Sequence, residues 1–298
     1  MDIRVLRYFL EIAREENMTR AADILRVSQP TLSRQMSLLE EETGRKLFER
    51  SNHSIRLTKE GTLLKKRAEQ IVDLADRTLS ELRLSDEETG GDIYIGAAES
   101  LSFDHLAGAF KQLQNTDPEV CLHLYSGNTE AIEEKLRNGQ LDFALVVQDV
   151  DHSHYNSISF PGADRWGVLV PENHPFARKN RISTEDLLGE RLIVSRQSVR
   201  EDLPKLFRNR MEQLKIAADY DLIFNASRLV LAGAGLALAF EGLISVDINS
   251  GLVFRVLEPA LYTSMHLIWK RNQKLSYPAS QLLEIIETIL SESDNQDI

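Results

Sequence analysis

The sequence predicts a mixed α/β chain of three unlike parts: a small helical unit closed by a β-hairpin, one long helix, and a two-lobed α/β region. Three observations carry that expectation. Apolar residues recur at helical spacing with two short breaks over residues 3 to 40. Residues 58 to 85 keep an unbroken apolar repeat of threes and fours, and beyond residue 91 strands alternate with helices in two series. A chain of 298 residues has room for two or three domains, and 42% apolar with 27% charged residues excludes a disordered or collagen-like chain.

The first helix follows from Val5, Leu6, Phe9, Ile12 and Ala13, which share one face. Asn17 and Met18 interrupt it, and Thr19 is the expected N-cap of a second helix in which Ala21 and Ala22 admit a close helix crossing. Arg26 and Val27 make a short turn. Ser28 then caps a third helix, with Pro30 in the first turn where a missing N–H costs little. This is helix-turn-helix spacing. On the third helix Leu32, Met36 and Leu39 point one way and Pro30, Ser33, Arg34 and Ser37 the other. A polar face almost free of acid suits either the DNA major groove or plain solvent. Leu47 to Arg50 and Ile55 to Thr58 read as two strands joined by the turn-prone Ser51-Asn52-His53-Ser54, so a wing follows the helices. From that wing Arg50, His53 and Arg56 are placed to reach phosphates or the minor groove.

The charge distribution fits this reading. The chain as a whole carries 35 Lys+Arg against 46 Asp+Glu, a net charge of -11. Residues 1 to 60 hold eleven basic against ten acidic residues, so the acid excess lies entirely in the remainder. Arg45 to Lys59 has five basic residues against Glu49 alone, and screening over ~8 Å makes such local excess count more than the total.

From Thr58 to about Ser85, Leu64, Ala68, Ile71, Ala75, Thr78 and Leu82 form a coiled-coil-like seam. About 27 residues at ~1.5 Å each give a rod near 40 Å, which is expected to pair with a second subunit rather than pack along its own chain. Asp86 to Gly91 forms a hinge.

Arg7 to Gly61 resembles the DNA-binding domain of the LysR-type transcriptional regulators nearly residue for residue. The motifs that carry the likeness are Ala21-Ala22, Ser28-Gln29-Pro30, Leu32-Ser33-Arg34-Gln35, Leu39-Glu40, Leu47-Phe48-Glu49-Arg50 and Leu57-Thr58 before Gly61. The resemblance implies that Gln29, Pro30, Thr31, Ser33 and Arg34 face bases and phosphates and that Arg50 and Arg56 belong to the wing. Thr19, Ser28, Ser37 and His53 complete the expected DNA-facing set. It also implies a dimer through the long helix and a tetramer built from dimers, with RNA polymerase as a further partner.

After the hinge, Asp92 to Ala97, Val120 to Tyr125 and Leu141 to Val147 read as strands, with helices over Leu101 to Leu113 and Thr129 to Asn138 between them. A second series takes in Trp166 to Val170, Leu192 to Ser195, a helix from Glu201 to Leu214, and Asp221 to Asn225. Leu261 to Trp269 is expected to be one strand, and Pro278 to Leu290 a helix packed back on the first lobe. Ligands of such sheets bind beyond the carboxyl ends of strands, which collects Glu99, Ser100, Leu101, Ser102, Asn128, Thr129 and Gln148 on one wall. Ser195, Arg196, Asn225 and Ala226 supply the opposite wall. Ser100 and Ser102 serve equally well as helix caps, and Arg196 suits either an effector carboxylate or a surface acid; Glu99 argues against a strongly anionic ligand.

This region resembles the two-lobed effector domain of the same family, whose architecture is that of periplasmic solute-binding proteins. The likeness rests on Asn138-Gly139 with Leu141 to Leu145, Val170-Pro171 with His174-Pro175, and Ala232 to Leu238, while Phe240 stands where the family usually has proline before Glu241. The implied boundaries are 1–58 for the winged helix-turn-helix and 59–89 for the dimerising linker helix. Residues 90–162 with 267–294 would make the first lobe, and 163–266 the second.

The expected function is therefore a DNA-binding transcription regulator that answers to a small-molecule effector; the alternative is a ligand-binding protein with no regulatory role. No nucleophile elbow, P-loop or cofactor fingerprint occurs, so neither an enzyme nor a cofactor is expected. Asp151-His152-Ser153-His154 lacks a third placed ligand, so no metal is expected either. The single cysteine, Cys121, reads as a small core residue. No apolar run is long enough to span a bilayer and the N-terminus has no signal-like core, which points to the cytoplasm and to no membrane partner.

Overall fold

The computed structural model describes residues 1–50, 55–84, 90–147, 152–247 and 249–294, and the chain divides into two compact units, Met1–Asp86 and Glu87–Ile298.

The first unit begins with α1 (Ile3–Glu15), α2 (Met18–Leu25) and α3 (Gln29–Thr43), followed by the antiparallel pair β1 (Phe48–Arg50) and β2 (Ile55–Leu57), then α4 (Lys59–Leu84). Each helix start carries its own signal. Asp2, Asn17 and Ser28 accept the backbone N–H groups of Arg4, Arg20 and Thr31, so the cap of α2 is Asn17 and not Thr19, which lies exposed in the first turn. Leu6, Phe9 and Ile12 of α1, Ala21 and Ala22 of α2, and Leu32, Met36 and Leu39 of α3 meet in one core. Phe48 closes it from the hairpin, its ring 5.1 Å from that of Phe9.

Glu40 fastens α3 to the hairpin, because one carboxylate accepts the N–H of Leu47 at 2.8 Å and of Phe48 at 3.3 Å and pairs with Lys46 at 2.7 Å. Partial burial pushes its pKa up, but these hydrogen bonds outweigh that and hold it below the ordinary value. Gly61 lets α4 pass against the hairpin, since a Cβ there would lie 2.1 Å from the Leu47 carbonyl oxygen.

The α4 seam is divided. Ala68 is buried in the unit's own core with Leu64 and Val72 packed against it, and Arg7 of α1 pairs with Asp76. The first half of the rod thus packs along its own chain, contrary to the expectation of one intermolecular stripe. Leu63, Ile71, Leu74 and Leu79 stay exposed.

In the second unit the first lobe holds β3 (Gly91–Ala97), α5 (Phe103–Thr116), β4 (Val120–Ser126), α6 (Thr129–Arg137), β5 (Phe143–Val146) and β6 (Tyr155–Ser159). The chain crosses to the second lobe with β7 (Asp164–Pro171), β8 (Arg181–Ser183), α7 (Thr184–Leu187), β9 (Arg191–Ser195), α8 (Asp202–Phe207) and β10 (Lys215–Tyr220). There it continues through α9 (Ile223–Leu231), β11 (Leu236–Phe240), β12 (Leu252–Glu258) and β13 (Tyr262–Thr263). It then returns with β14 (His266–Lys270) and α10 (Tyr277–Asp294).

The first sheet runs β4-β3-β5-β14-β6, parallel where the alternating series builds it and antiparallel where β14 joins β5 and β6. The second runs β10-β9-β11-β7-β12-β8, with β13 paired to β7. Leu261 to Trp269 is therefore not one strand: Thr263 pairs with Asp164 in one sheet and His266 with Val146 in the other. Phe160 N–H on the Met265 carbonyl ties the two crossings together at 2.9 Å. Helix α10 packs on the first lobe through Ala279, Leu282 and Ile286, as expected.

Three further expectations fail for physical reasons. The helix over Glu201 to Leu214 breaks at Arg208, whose φ of 47° leaves helical space, and a 3-10 turn follows. The strand placed at Asp221 to Asn225 lies earlier, at Lys215 to Tyr220; as an edge strand it buries little and shows no apolar alternation. Cys121 is exposed because β4 is also an edge, where only Val120 is buried.

Candidate functional site

Two surfaces concentrate the chemistry, one in each unit. On α3, Gln29, Pro30, Thr31, Arg34 and Ser37 are exposed and Ser33 is half-buried, while Leu32, Met36 and Leu39 anchor the opposite face. Ser28 is committed to its cap, with its hydroxyl 2.7 Å from that of Thr31, and the Ser37 hydroxyl donates to the Ser33 carbonyl at 3.1 Å. Gln29 and Arg34 are the long donors that project from this face.

The basic residues of this unit fall into two groups. Arg7, Arg14, Arg20 and Lys46 are neutralised by Asp76, Glu11 with Glu15, Glu15 and Glu40 respectively. Among the described residues Arg26, Arg34, Arg45 and Arg56 have no ion pair, and each is exposed. A polyanion would find its counter-charges there. His53 lies outside the described residues, and of Arg50 only the backbone, paired to Ile55, is described.

In the second unit a cleft opens between the lobes. Glu99, Asn128, Ser195 and Arg196 line it, as the strand-end argument expected. Six other expected residues do not. Ser100 is buried and donates to Asp164 while accepting the Ser102 N–H at 2.9 Å, so it organises the turn into α5; Ser102 makes no cap bond. Leu101 lies over Gly242, and Thr129 is buried with its hydroxyl lacking a hydrogen-bond partner among the described residues. Asn225 is exposed on α9 and Ala226 belongs to the core beneath it, both displaced by the strand shift. Gln148 is outside the described residues.

Residues that sequence reasoning missed take their places. Trp166 and Phe240 form an aromatic wall, ring centroids 4.6 Å apart at 66°, and Tyr220, Asp221 and Asp202 lie beside them. Phe240 ends β11 against Trp166, and Gly242 at φ 85° makes the turn beyond. Placing the strand at residues 215 to 220 would have put Asp221 at its carboxyl end and so among the candidates.

Carboxylates dominate the cleft. Glu99 accepts the Ile223 N–H at 2.6 Å, and burial raises its pKa although that bond opposes the shift. Asp221 accepts the Asn128 side-chain amide at 2.7 Å, and Arg196 is turned to Asp219 at 2.9 Å. Asp202 is 8% exposed, and its pKa is pushed up to about 6 by burial, with Lys205 opposing and Glu201 adding to the shift. Because its folded pKa lies above the ordinary 3.8, its contribution to stability falls as pH rises from about 4 to 6 and stays unfavourable above that. Asp202→Asn should therefore stabilise the second unit by about 1–2 kcal/mol at neutral pH and by almost nothing near pH 4. Urea unfolding at both pH values checks this, and equal midpoints for the two proteins at neutral pH would contradict it.

Among the described residues one group suits a metal ion: Asp92, Cys121 and His123 on β3 and β4 place their donor atoms within 4.8 Å of one another. Its His123 Nε2 is already 2.9 Å from Asp92 and its ring stacks on Tyr94. His152 and His154 each contact a serine hydroxyl, and Asp151 lies outside the described residues. No described helix is long and apolar enough to cross a membrane.

Two family models match the chain, one in each unit. Residues 3–62 match the family model described as a bacterial regulatory helix-turn-helix protein of the lysR family, and residues 86–290 match the LysR substrate binding domain. The chain is 28% identical over 284 residues to the HTH-type transcriptional regulator CysL of Bacillus subtilis, covering 94% of this chain and 91% of that one. It is 30% identical over 247 residues to the hydrogen peroxide-inducible genes activator of Pectobacterium carotovorum, covering 80% and 79%. Among solved structures, full-length CbnR complexed with its target DNA superposes with a TM-score of 0.74 at 21% identity, covering 97% of this chain and 99% of that one. Full-length BenM gives 0.55 at 26%, covering 99% and 98%.

Proposed function

Because the chain belongs to the LysR family of transcriptional regulators, with its DNA-binding and substrate-binding domains both present, we propose that α3 reads promoter DNA and that the interlobe cleft takes the effector. The observation that supports this most is the α3 face, where Gln29, Pro30, Thr31 and Arg34 stand exposed with no acid among them. An α-helix of that character fits the major groove; Arg suits guanine and Gln suits adenine. Thr19, Ser33 and Ser37 flank that contact, while Ser28 acts by holding the helix start. Arg50, His53 and Arg56 are assigned to the phosphate backbone because basic wing residues supply sequence-independent affinity.

We take residues 1–58 as the DNA-binding domain, 59–89 as linker, 90–162 with 267–294 as the first lobe and 163–266 as the second. Leu63, Ile71 and Leu74 are exposed on α4 while Leu64 and Ala68 are not, so the exposed stripe is where a second copy pairs. A two-fold dimer presents two α3 helices to a roughly palindromic site, and dimers of dimers follow as the next assembly. Effector binding alters the orientation of lobes or subunits and with it the spacing of those helices; RNA polymerase is the machinery acted upon. The chain works in the cytoplasm by binding alone, without catalysis. Of the effector candidates, Glu99, Asn128, Ser195 and Arg196 lie in the cleft and are assigned direct contact.

Arg56 on β2 provides the test of the wing. Arg56→Ala should weaken binding uniformly across DNA sequences and lower the slope of log affinity against log salt by about one. Fluorescence anisotropy over a salt series reads this; an unchanged slope would remove Arg56 from the interface.

A further inference from the structure

We propose that the cleft takes a small organic cation, an amine with an apolar or aromatic body, whose ammonium pairs with Asp202 while the body packs on Trp166 and Phe240. This inference rests on the reading of the cleft as the effector site.

The cleft is already supplied with anions. Helices α6 and α9 and the turn into α5 all begin at or beside it, and a helix start is where a carboxylate or phosphate ligand would bind. Each of those positions is filled by the chain itself. The Ile223 N–H that opens α9 is taken by Glu99 at 2.6 Å. The turn before α5 is closed by Asp164, which accepts the Ser100 hydroxyl and the Leu101 N–H. The start of α6 is capped by its own Asn128, whose amide is held in turn by Asp221 at 2.7 Å. An anion would have to displace these groups and then sit among the carboxylates it had displaced.

The balance of free charge points the same way. Arg196 is the one cation among the described lining residues, and it is drawn off to Asp219. Asp202 is the opposite case: more than nine-tenths buried, lining the cleft, and accepting no hydrogen bond among the described residues. A largely buried carboxylate with no hydrogen-bond partner among the described residues, and Lys205 as its offsetting charge, is costly to keep, and a cationic ligand lowers that cost on binding. Trp166 and Phe240, core residues of the second lobe that also line the cleft, supply apolar aromatic surface for the body of the ligand.

Three probes of nearly one shape separate the possibilities: 2-phenylethylamine, 2-phenylethanol and phenylacetate, each titrated into the full chain at neutral pH by calorimetry. The amine should bind about tenfold or more tightly than the alcohol, and phenylacetate weakest. Asp202→Asn should abolish the preference for the amine, whereas Glu172→Gln, an exposed acid outside the cleft lining, should leave it in place. Phenylacetate binding best would overturn the cationic assignment and leave the effector site standing. Amine binding that Asp202→Asn does not change would overturn the pairing, and binding of none of the three would overturn the proposal. The effector reading fails separately, if Trp166→Ala leaves the affinity for every bound probe unchanged.

Discussion

Gly61→Ala should destabilise the DNA-binding unit by about 3 kcal/mol, the largest effect expected from a single methyl group in this chain. The added carbon would lie 2.1 Å from the Leu47 carbonyl oxygen and 3.0 Å from a methyl of Leu57. A flexible side chain could swing aside; this carbonyl cannot, because it accepts the Thr58 N–H at 3.0 Å. Thr58 in turn donates its hydroxyl to the Lys46 carbonyl at 2.7 Å and accepts the Gly61 N–H at 2.9 Å. Relief therefore means separating α4 from the hairpin and opening the core at Leu47 and Phe48. Thermal unfolding should show the first unit melting earlier, with residues 87–298 unaffected and DNA affinity falling. Unchanged melting would mean that α4 can shift over the hairpin at little cost.

Arg34→Ala should lower the affinity for a specific site by about 1–3 kcal/mol, between about 5- and 150-fold, while barely changing stability. The reasoning starts from what Arg34 lacks: it is exposed, on the face opposite the Leu32, Met36 and Leu39 anchors, and has no ion pair among the described residues. No hydrogen bond or ion pair among the described residues is lost with it. A base contact predicts that specific binding suffers and non-specific binding does not, so the two must be measured side by side at one salt concentration. Equal losses on both kinds of DNA would make Arg34 a phosphate contact instead.

The DNA-binding unit was legible in the sequence because its signals are local and dense: caps, small residues at a helix crossing, a turn, and an apolar period that the core at Leu6, Phe9, Ile12 and Leu32 repeats. The cap of α2 was misplaced by two residues because Asn17 and Thr19 are both good caps, and only the extended backbone at Asn17 decides between them. The lobes were legible as an alternation of strand and helix, and the cleft at the strand ends this alternation located, Glu99 and Asn128 in one lobe and Ser195 and Arg196 in the other. Leu192, Ile193 and Val194 announce β9 and so place Ser195 and Arg196. Strand β10 at an edge announces nothing, and the apolar Leu222-Ile223-Phe224 beyond it mimicked a strand although Phe224 is 66% exposed on a helix. Trp166 and Asp202 were out of reach for another reason: their neighbours in the cleft come from strands and helices distant in sequence, and no local pattern marks such a meeting.

The measurement that bears most directly on the whole account is selection of genomic DNA fragments by the full chain at controlled salt, followed by sequencing of what is bound. The account predicts a shared motif with two-fold symmetry, its half-sites spaced by about one helical turn or a multiple, and loss of enrichment for that motif with Arg34→Ala. Fragments retained without any common motif, or the same motif recovered equally well by the variant, would contradict the claim that α3 reads the sequence.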